Sequence, residues 1–157
     1  MALELSASDI AEIRQALALF AHVVDNKEVD ALGLVFTDDV VIEIGTGKGT
    51  SLRGIDTFRD YVLQLPVDAA DHQTVDTAIL VDADGAVRAR SRYIAIRADG
   101  SITNGDYLDI LTRTPQGWRI SYRRTVPRYP REDGSPAPTA LVEKWRPRPD
   151  SLLVTAP

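Results

Sequence analysis

Imidazole is the side chain best suited to move protons near neutral pH, and the sequence holds two, His22 and His72. A neutral imidazole can take a proton from carbon or relay one to a leaving group. His22 lies well off the apolar stripe of the first helical stretch, which is a surface position. His72 stands in Asp71-His72-Gln73, where it is either a loop histidine or a proton carrier. There are no cysteines, so disulfide scaffolds, thiolate metal sites and cysteine nucleophiles are excluded. No metal and no cofactor is expected. Asp25 closes the first apolar stripe, and as a lone carboxylate it can simply bond the turn from Asn26 to Glu28. Of the 18 basic residues, 15 are arginine, and Arg123 and Arg124 stand side by side. A fixed guanidinium can hold developing negative charge. The ordinary alternative is a surface arginine paired with an acid, and a β-bulge would decide which of the two turns inward. Arg88, Arg90 and Arg92 alternate along one strand face and are expected to form a solvated or subunit-contact stripe.

These side chains need a frame. The 157 residues make one domain, large enough to bury roughly 70% of the unfolded surface. A net charge of -5 argues against a dedicated nucleic-acid binder. No apolar run approaches the roughly 18 residues that span a bilayer. Met1 to Ile10 lacks the pattern of a signal peptide, so a cytoplasmic protein with no membrane partner is expected. Ser6 or Ser8 can cap a helix, and Ile10, Ile13, Leu17, Phe20, Ala21 and Val24 follow at helical spacing. A second short helix is predicted over about Val29 to Phe36, then a turn at Thr37-Asp38-Asp39. A strand is predicted at Val40–Ile44, a flexible loop over 45–49, and a third helix from Asp56 to Pro66.

The second half reads as a meander. Strands are predicted over Thr74–Val81, Val87–Arg97, Ser101–Thr114 and Trp118–Val126. The turns between them, Asp82-Ala83-Asp84-Gly85, Ala98-Asp99-Gly100 and Pro115-Gln116-Gly117, each carry a glycine. Helices first and strands afterwards give an α+β fold with three N-terminal helices against a curved antiparallel sheet. Seven of the nine prolines lie beyond residue 120. Residues 1–126 therefore form the domain and 127–157 a Pro/Arg-rich extension, with one short helix near Thr139 to Lys144.

Several local patterns resemble the nuclear transport factor 2-like superfamily, and within it the SnoaL-like and scytalone dehydratase-like branch. They are Phe20-Ala21-His22-Val23-Val24-Asp25, Leu34-Val35-Phe36-Thr37-Asp38-Asp39-Val40, Gly54-Ile55-Asp56-Thr57-Phe58, Gly105-Asp106-Tyr107-Leu108-Asp109 and Gly117-Trp118-Arg119-Ile120-Ser121-Tyr122-Arg123. The resemblance covers about residues 6 to 126 and implies a cone-shaped sheet. It also implies an Asp–His pair at the mouth of an apolar cone, and Asp25 and His72 match that pair. A carboxylate on one ring nitrogen fixes the tautomer and stabilises the imidazolium.

By this resemblance the chain is a cofactor-independent lyase or isomerase, of dehydratase, dehydrohalogenase or polyketide cyclase type. Its substrate is a small apolar cyclic molecule. His72 is general base and acid, Asp25 its orienting partner, and Arg123 or Arg124 the anion stabiliser. Phe20, Val24, Tyr61, Tyr93, Tyr107 and Asp109 are the candidate substrate contacts. The match stops short of any one member. Ser91, Arg92 and Tyr93 stand where scytalone dehydratase has a second histidine, and Phe20 stands near the lysine of the dehydrochlorinase. Two other readings share the fold: a non-catalytic structural subunit, like the small subunit of ring-hydroxylating dioxygenases, and a small-ligand binding protein. The resemblance also implies a homodimer or homotrimer. The tail, with Leu141, Trp145, Leu152, Leu153 and Val154, is too apolar for a solvated linker and is expected to be ordered against a neighbouring subunit.

Overall fold

The computed structural model describes residues 4–45, 49–129 and 142–152. The chain begins with helix α1 (Ala7–Asp25), whose start is a capping box. Ser6 Oγ accepts from the Asp9 backbone N–H, and Asp9 Oδ2 accepts from both the Ser6 backbone N–H and its hydroxyl. Asp9 also reaches across the fold. Its Oδ1 accepts from the Trp118 indole at 2.8 Å and pairs with Arg113. The Trp118 and Ser6 hydrogen bonds hold the Asp9 carboxyl well below the usual carboxylate range. A depressed folded-state pKa gives stability that is present above the unfolded value and is lost as pH falls through the folded one. We expect Asp9→Asn to lower the thermal midpoint at neutral pH, by a margin that narrows on acidification. Melting curves of both proteins from neutral to strongly acidic pH check this, and a margin independent of pH would refute it.

After α1 comes a 3-10 helix at Val29–Leu34, then strands β1 (Phe36–Ile44) and β2 (Thr50–Arg53), and helix α2 (Ile55–Gln64). The four long strands follow as expected: β3 (Asp71–Val81), β4 (Val87–Ile96), β5 (Ile102–Thr114) and β6 (Gly117–Tyr129). The six strands form one sheet in the order β2-β1-β6-β5-β4-β3. It is mixed rather than purely antiparallel, because β1 runs parallel to β6. Thr37-Asp38-Asp39, expected as a turn, is the start of β1, and β2 had no counterpart in the sequence reading. The expected loop at 45–49 falls partly outside the described residues, which lack 46–48.

The three helical segments cover the concave face. The core there joins Ile13, Leu17, Phe20 and Val24 of α1 to Phe58 and Val62 of α2 and to the inward residues of the sheet. Gly105 makes room on that face, because a Cβ there would collide with the Val126 carbonyl and the Tyr93 ring. Tyr93 is its cross-strand partner, so the ring lies over the bare backbone.

The convex face carries a smaller cluster of Leu80, Leu108, Val126 and Trp145. The described part of the tail makes this contact within its own chain. Trp145 closes a 3-10 turn (Glu143–Trp145), stacks on Tyr122 with ring centroids 6.0 Å apart, and donates its indole N–H to the Asp109 carbonyl at 2.8 Å. Leu152 forms a bridge with Leu80 at the sheet edge. The start of the expected tail helix, together with Leu141, Leu153 and Val154, lies outside the described residues. The arginine stripe is not simply solvated. Arg88 is buried beside Trp145 and paired with Asp82, while Arg90 and Arg92 converge with Arg128 on the fully buried Asp106.

Candidate active site

Helix α1 delivers Asp25 as its last residue, and the way the helix stops fixes where that carboxylate sits. The Glu28 N–H bonds the Val23 carbonyl and the Lys27 N–H bonds the Val24 carbonyl, a Schellman ending. That ending needs a left-handed residue, and Lys27 takes the role at φ 53 in place of glycine. Its ammonium then donates to the carbonyls of Leu63 and Leu65 at the end of α2. One turn thus ties the end of α1 to the end of α2.

His72 is the second residue of β3, at the sheet edge, rather than in a loop before the strand. An edge strand has N–H groups that no neighbouring strand takes. The His72 backbone N–H donates to Asp25 Oδ2 at 2.7 Å, and ring Nδ1 lies 2.7 Å from Asp25 Oδ1. A carboxylate can only accept, so Nδ1 carries the hydrogen and Nε2 is left as the ring's acceptor. Both oxygens of Asp25 are therefore spent on one residue, one on its position and one on its tautomer.

His72 lines a cavity of about 380 Å³ between α1, α2 and the sheet. Phe20, Val24, Tyr61, Tyr93 and Tyr107 line it too, as the sequence suggested. The walls are chiefly aromatic and aliphatic. Phe20 meets Tyr107 edge-on at 5.4 Å, Tyr93 stacks on Tyr107 at 4.8 Å, and Phe58 stacks on Tyr61 at 6.1 Å. Burial pushes the Tyr93 phenol up to about 12, and burial raises Tyr107 as well, so both phenols are neutral donors at physiological pH. A wider groove of about 980 Å³ at the other end of the fold, between α1 and the β5–β6 turn, has no histidine beside it.

The two adjacent arginines part company. Ser121 is an extra residue in β6: Leu111 pairs with Ile120 while Ile110 pairs with Tyr122. The bulge turns Arg123 inward and Arg124 outward. Arg124 lies on the convex face against Glu43 at 3.1 Å, beside Tyr122, and it does not reach the cavity. Arg123 is 1% exposed and lines the cavity between the rings of Phe20 and Tyr107, 4.1 and 4.2 Å from their centroids. Asp109 does not line the cavity. It lies behind Arg123, fully buried, and accepts from Nε at 2.7 Å and from Nη2 at 2.9 Å. Burial pushes its carboxyl up, and the guanidinium pulls it back. Arg123 Nη1 is buried with no partner among the described residues.

The sequence reading missed Ile42, Phe58, Arg97, Thr103 and Thr125, which also line the cavity. Alternation along β4 was the available signal for Arg97, since Tyr93, Ala95 and Arg97 share a face. Among the described residues no cluster of three or more His, Asp or Glu side chains could hold a metal ion. Nor is any described helix long and apolar enough to cross a membrane.

Comparison with solved structures returns the same architecture. An NTF2-like protein with a cystatin-like fold from Novosphingobium aromaticivorans matches with a TM-score of 0.70 at 22% identity, over 86% of this chain and 89% of that one. Rv3472, a protein of unknown function from Mycobacterium tuberculosis, matches at 0.69 and 26% identity, over 84% of each chain. A chain designated the beta subunit of an aromatic-ring-hydroxylating dioxygenase, also from Novosphingobium aromaticivorans, matches at 0.62 and 17% identity, over 80% of this chain and 94% of that one. No curated protein shows significant sequence similarity to the chain. The model of the SnoaL-like domain, however, matches residues 6–124, and the chain belongs to that family.

Proposed function

We propose that the protein is a cofactor-independent lyase or isomerase that removes a proton from carbon in a small apolar cyclic substrate. One observation carries the reading: an imidazole whose position and tautomer are both set by Asp25 lines an apolar cavity together with a buried arginine that keeps one nitrogen unpartnered among the described residues. His72 Nε2 takes a proton from the carbon beside a ring carbonyl. The electron pair moves onto the carbonyl oxygen, and Arg123 Nη1 donates to the resulting enolate. Asp25 stabilises the imidazolium that forms. Collapse of the enolate expels a β-hydroxyl, which leaves as water with the proton from His72. In an isomerisation the same proton returns to a different carbon. A solvent-poor cavity strengthens each of these charge contacts.

The direct test uses β-hydroxy-α-tetralone, which aromatises to fluorescent α-naphthol on loss of water. Wild-type protein is expected to accelerate naphthol formation over buffer, with saturation in substrate. If neither naphthol formation nor proton exchange beside the carbonyl in deuterium oxide exceeds the buffer rate, the catalytic reading fails in favour of a structural subunit or a binding protein.

A further inference from the structure

The inward face of β4 presents Tyr93 and Ala95 and then, one step past the strand end, Arg97. Thr103 sits opposite Ala95 on β5, and Thr125 sits opposite Tyr107 on β6. All three line the same cavity as His72.

Most strand arginines are committed to a carboxylate. Arg88 pairs with Asp82, Arg90 and Arg92 with Asp106, Arg113 with Asp9, Arg123 with Asp109 and Arg124 with Glu43. Arg97 has no ion pair among the described residues. Asp99 feels its charge but is held by Ser101, whose backbone N–H donates to Oδ1 at 2.9 Å. The side-chain hydroxyls of Thr103 and Thr125 likewise make no hydrogen bond among the described residues. The fold therefore leaves one cation and two hydroxyls unspent on one cavity wall.

The sign of the wall matters as well. The chain carries a net charge of -5, yet among the described residues no aspartate or glutamate lines this cavity, whereas two arginines do. Asp109 offsets Arg123 in a direct ion pair, and no carboxylate among the described residues pairs with Arg97 in that way. An apolar cavity with a few polar groups orients its ligand through those groups, and a guanidinium suits a carboxylate.

We propose that Arg97, with Thr103 and Thr125, forms an anion subsite for a carboxylate on the ring substrate. The substrate class is then a cyclic acid, with its ring among the aromatic walls and its carboxylate held at the end of β4. This rests on the catalytic reading only for the word substrate; as a binding site it stands apart from the chemistry. Anchoring the carboxylate there would also choose which ring carbon meets His72.

The test is calorimetric titration of the full chain with β-naphthoate and with its neutral carboxamide, which has nearly the same shape. Wild-type protein is expected to bind the acid about tenfold tighter, as one charge-assisted contact at a partly exposed site allows. The gap should narrow at high salt. Arg97→Gln should remove most of it while leaving the carboxamide unchanged, and Arg97→Lys should keep part of it. Equal binding of the two probes, no binding of the acid at millimolar concentration, or a gap that survives Arg97→Gln would each overturn the subsite. The titration needs no turnover. His72→Ala should lose naphthol formation and keep the gap, so a failed subsite and a failed dyad give different results.

Discussion

Asp25→Asn is expected to cut turnover by about a thousandfold while the protein stays folded, within the range found for losing a positioned acid–base group. The reason is an arithmetic of acceptors. Asp25 accepts twice from His72, once from the backbone N–H and once from ring Nδ1. An asparagine has one carbonyl oxygen. If that oxygen keeps the backbone N–H, the amide nitrogen faces Nδ1, which must then accept. The ring hydrogen moves to Nε2, and the base is gone. The shape of the site barely changes, so the thermal midpoint should move little. His72→Ala should cost about as much, and the double variant little more, because the two residues act as a unit. Naphthol fluorescence beside melting curves measures both effects. An Asp25→Asn protein with more than about a tenth of wild-type activity would contradict the tautomer argument.

The second large effect is on stability. Asp109→Ala strands the Arg123 guanidinium in the core at 1% exposure, with rings on both sides. Removing one partner of a buried ion pair costs about 3–5 kcal/mol, because the remaining charge has lost both its counterion and its water. In a chain of this length that lowers the melting midpoint on the order of 10 °C. The double variant Asp109→Leu with Arg123→Met should recover most of this loss, since a well-packed apolar pair replaces a desolvated one. It should not recover turnover, because the enolate would lose its donor. Denaturant unfolding of the three variants checks the first claim and the tetralone assay the second. A double variant as unstable as Asp109→Ala would mean that the site needs the ions for packing rather than for chemistry.

The sequence made the local features visible and hid the ones that depend on assembly. Ser6 and Asp9 announce the start of α1, and the glycine-bearing turns mark the hairpins of the second half, because each feature is written within a few residues. Asp25 and His72 were paired only through a family resemblance. They are 47 positions apart, and no local pattern says that a helix end will meet a sheet edge. Thr37-Asp38-Asp39 reads as a turn for a similar reason. Asp38 and Asp39 are exposed, so alternation is missing, and the stretch is an irregular part of β1 between the residues that pair with β6, Phe36 and Val41. Arg97 shares a face with Tyr93 and Ala95 by alternation, but nothing local says which face of β4 lines a cavity.

The extra residue at Ser121 sets a parity for the rest of β6. Deleting it would leave Tyr122 opposite Ile110 and Arg123 opposite Asp109 on a regular strand, whereas ironing out the bulge at unchanged length would send Arg123 outward and bring Arg124 in. A strand of this kind can lose one residue at the bulge and keep every other side chain on its side. In a library of single-codon deletions, loss of Ser121 should be far commoner among active clones than loss of Arg124 or Thr125, which would turn over the side chains that follow.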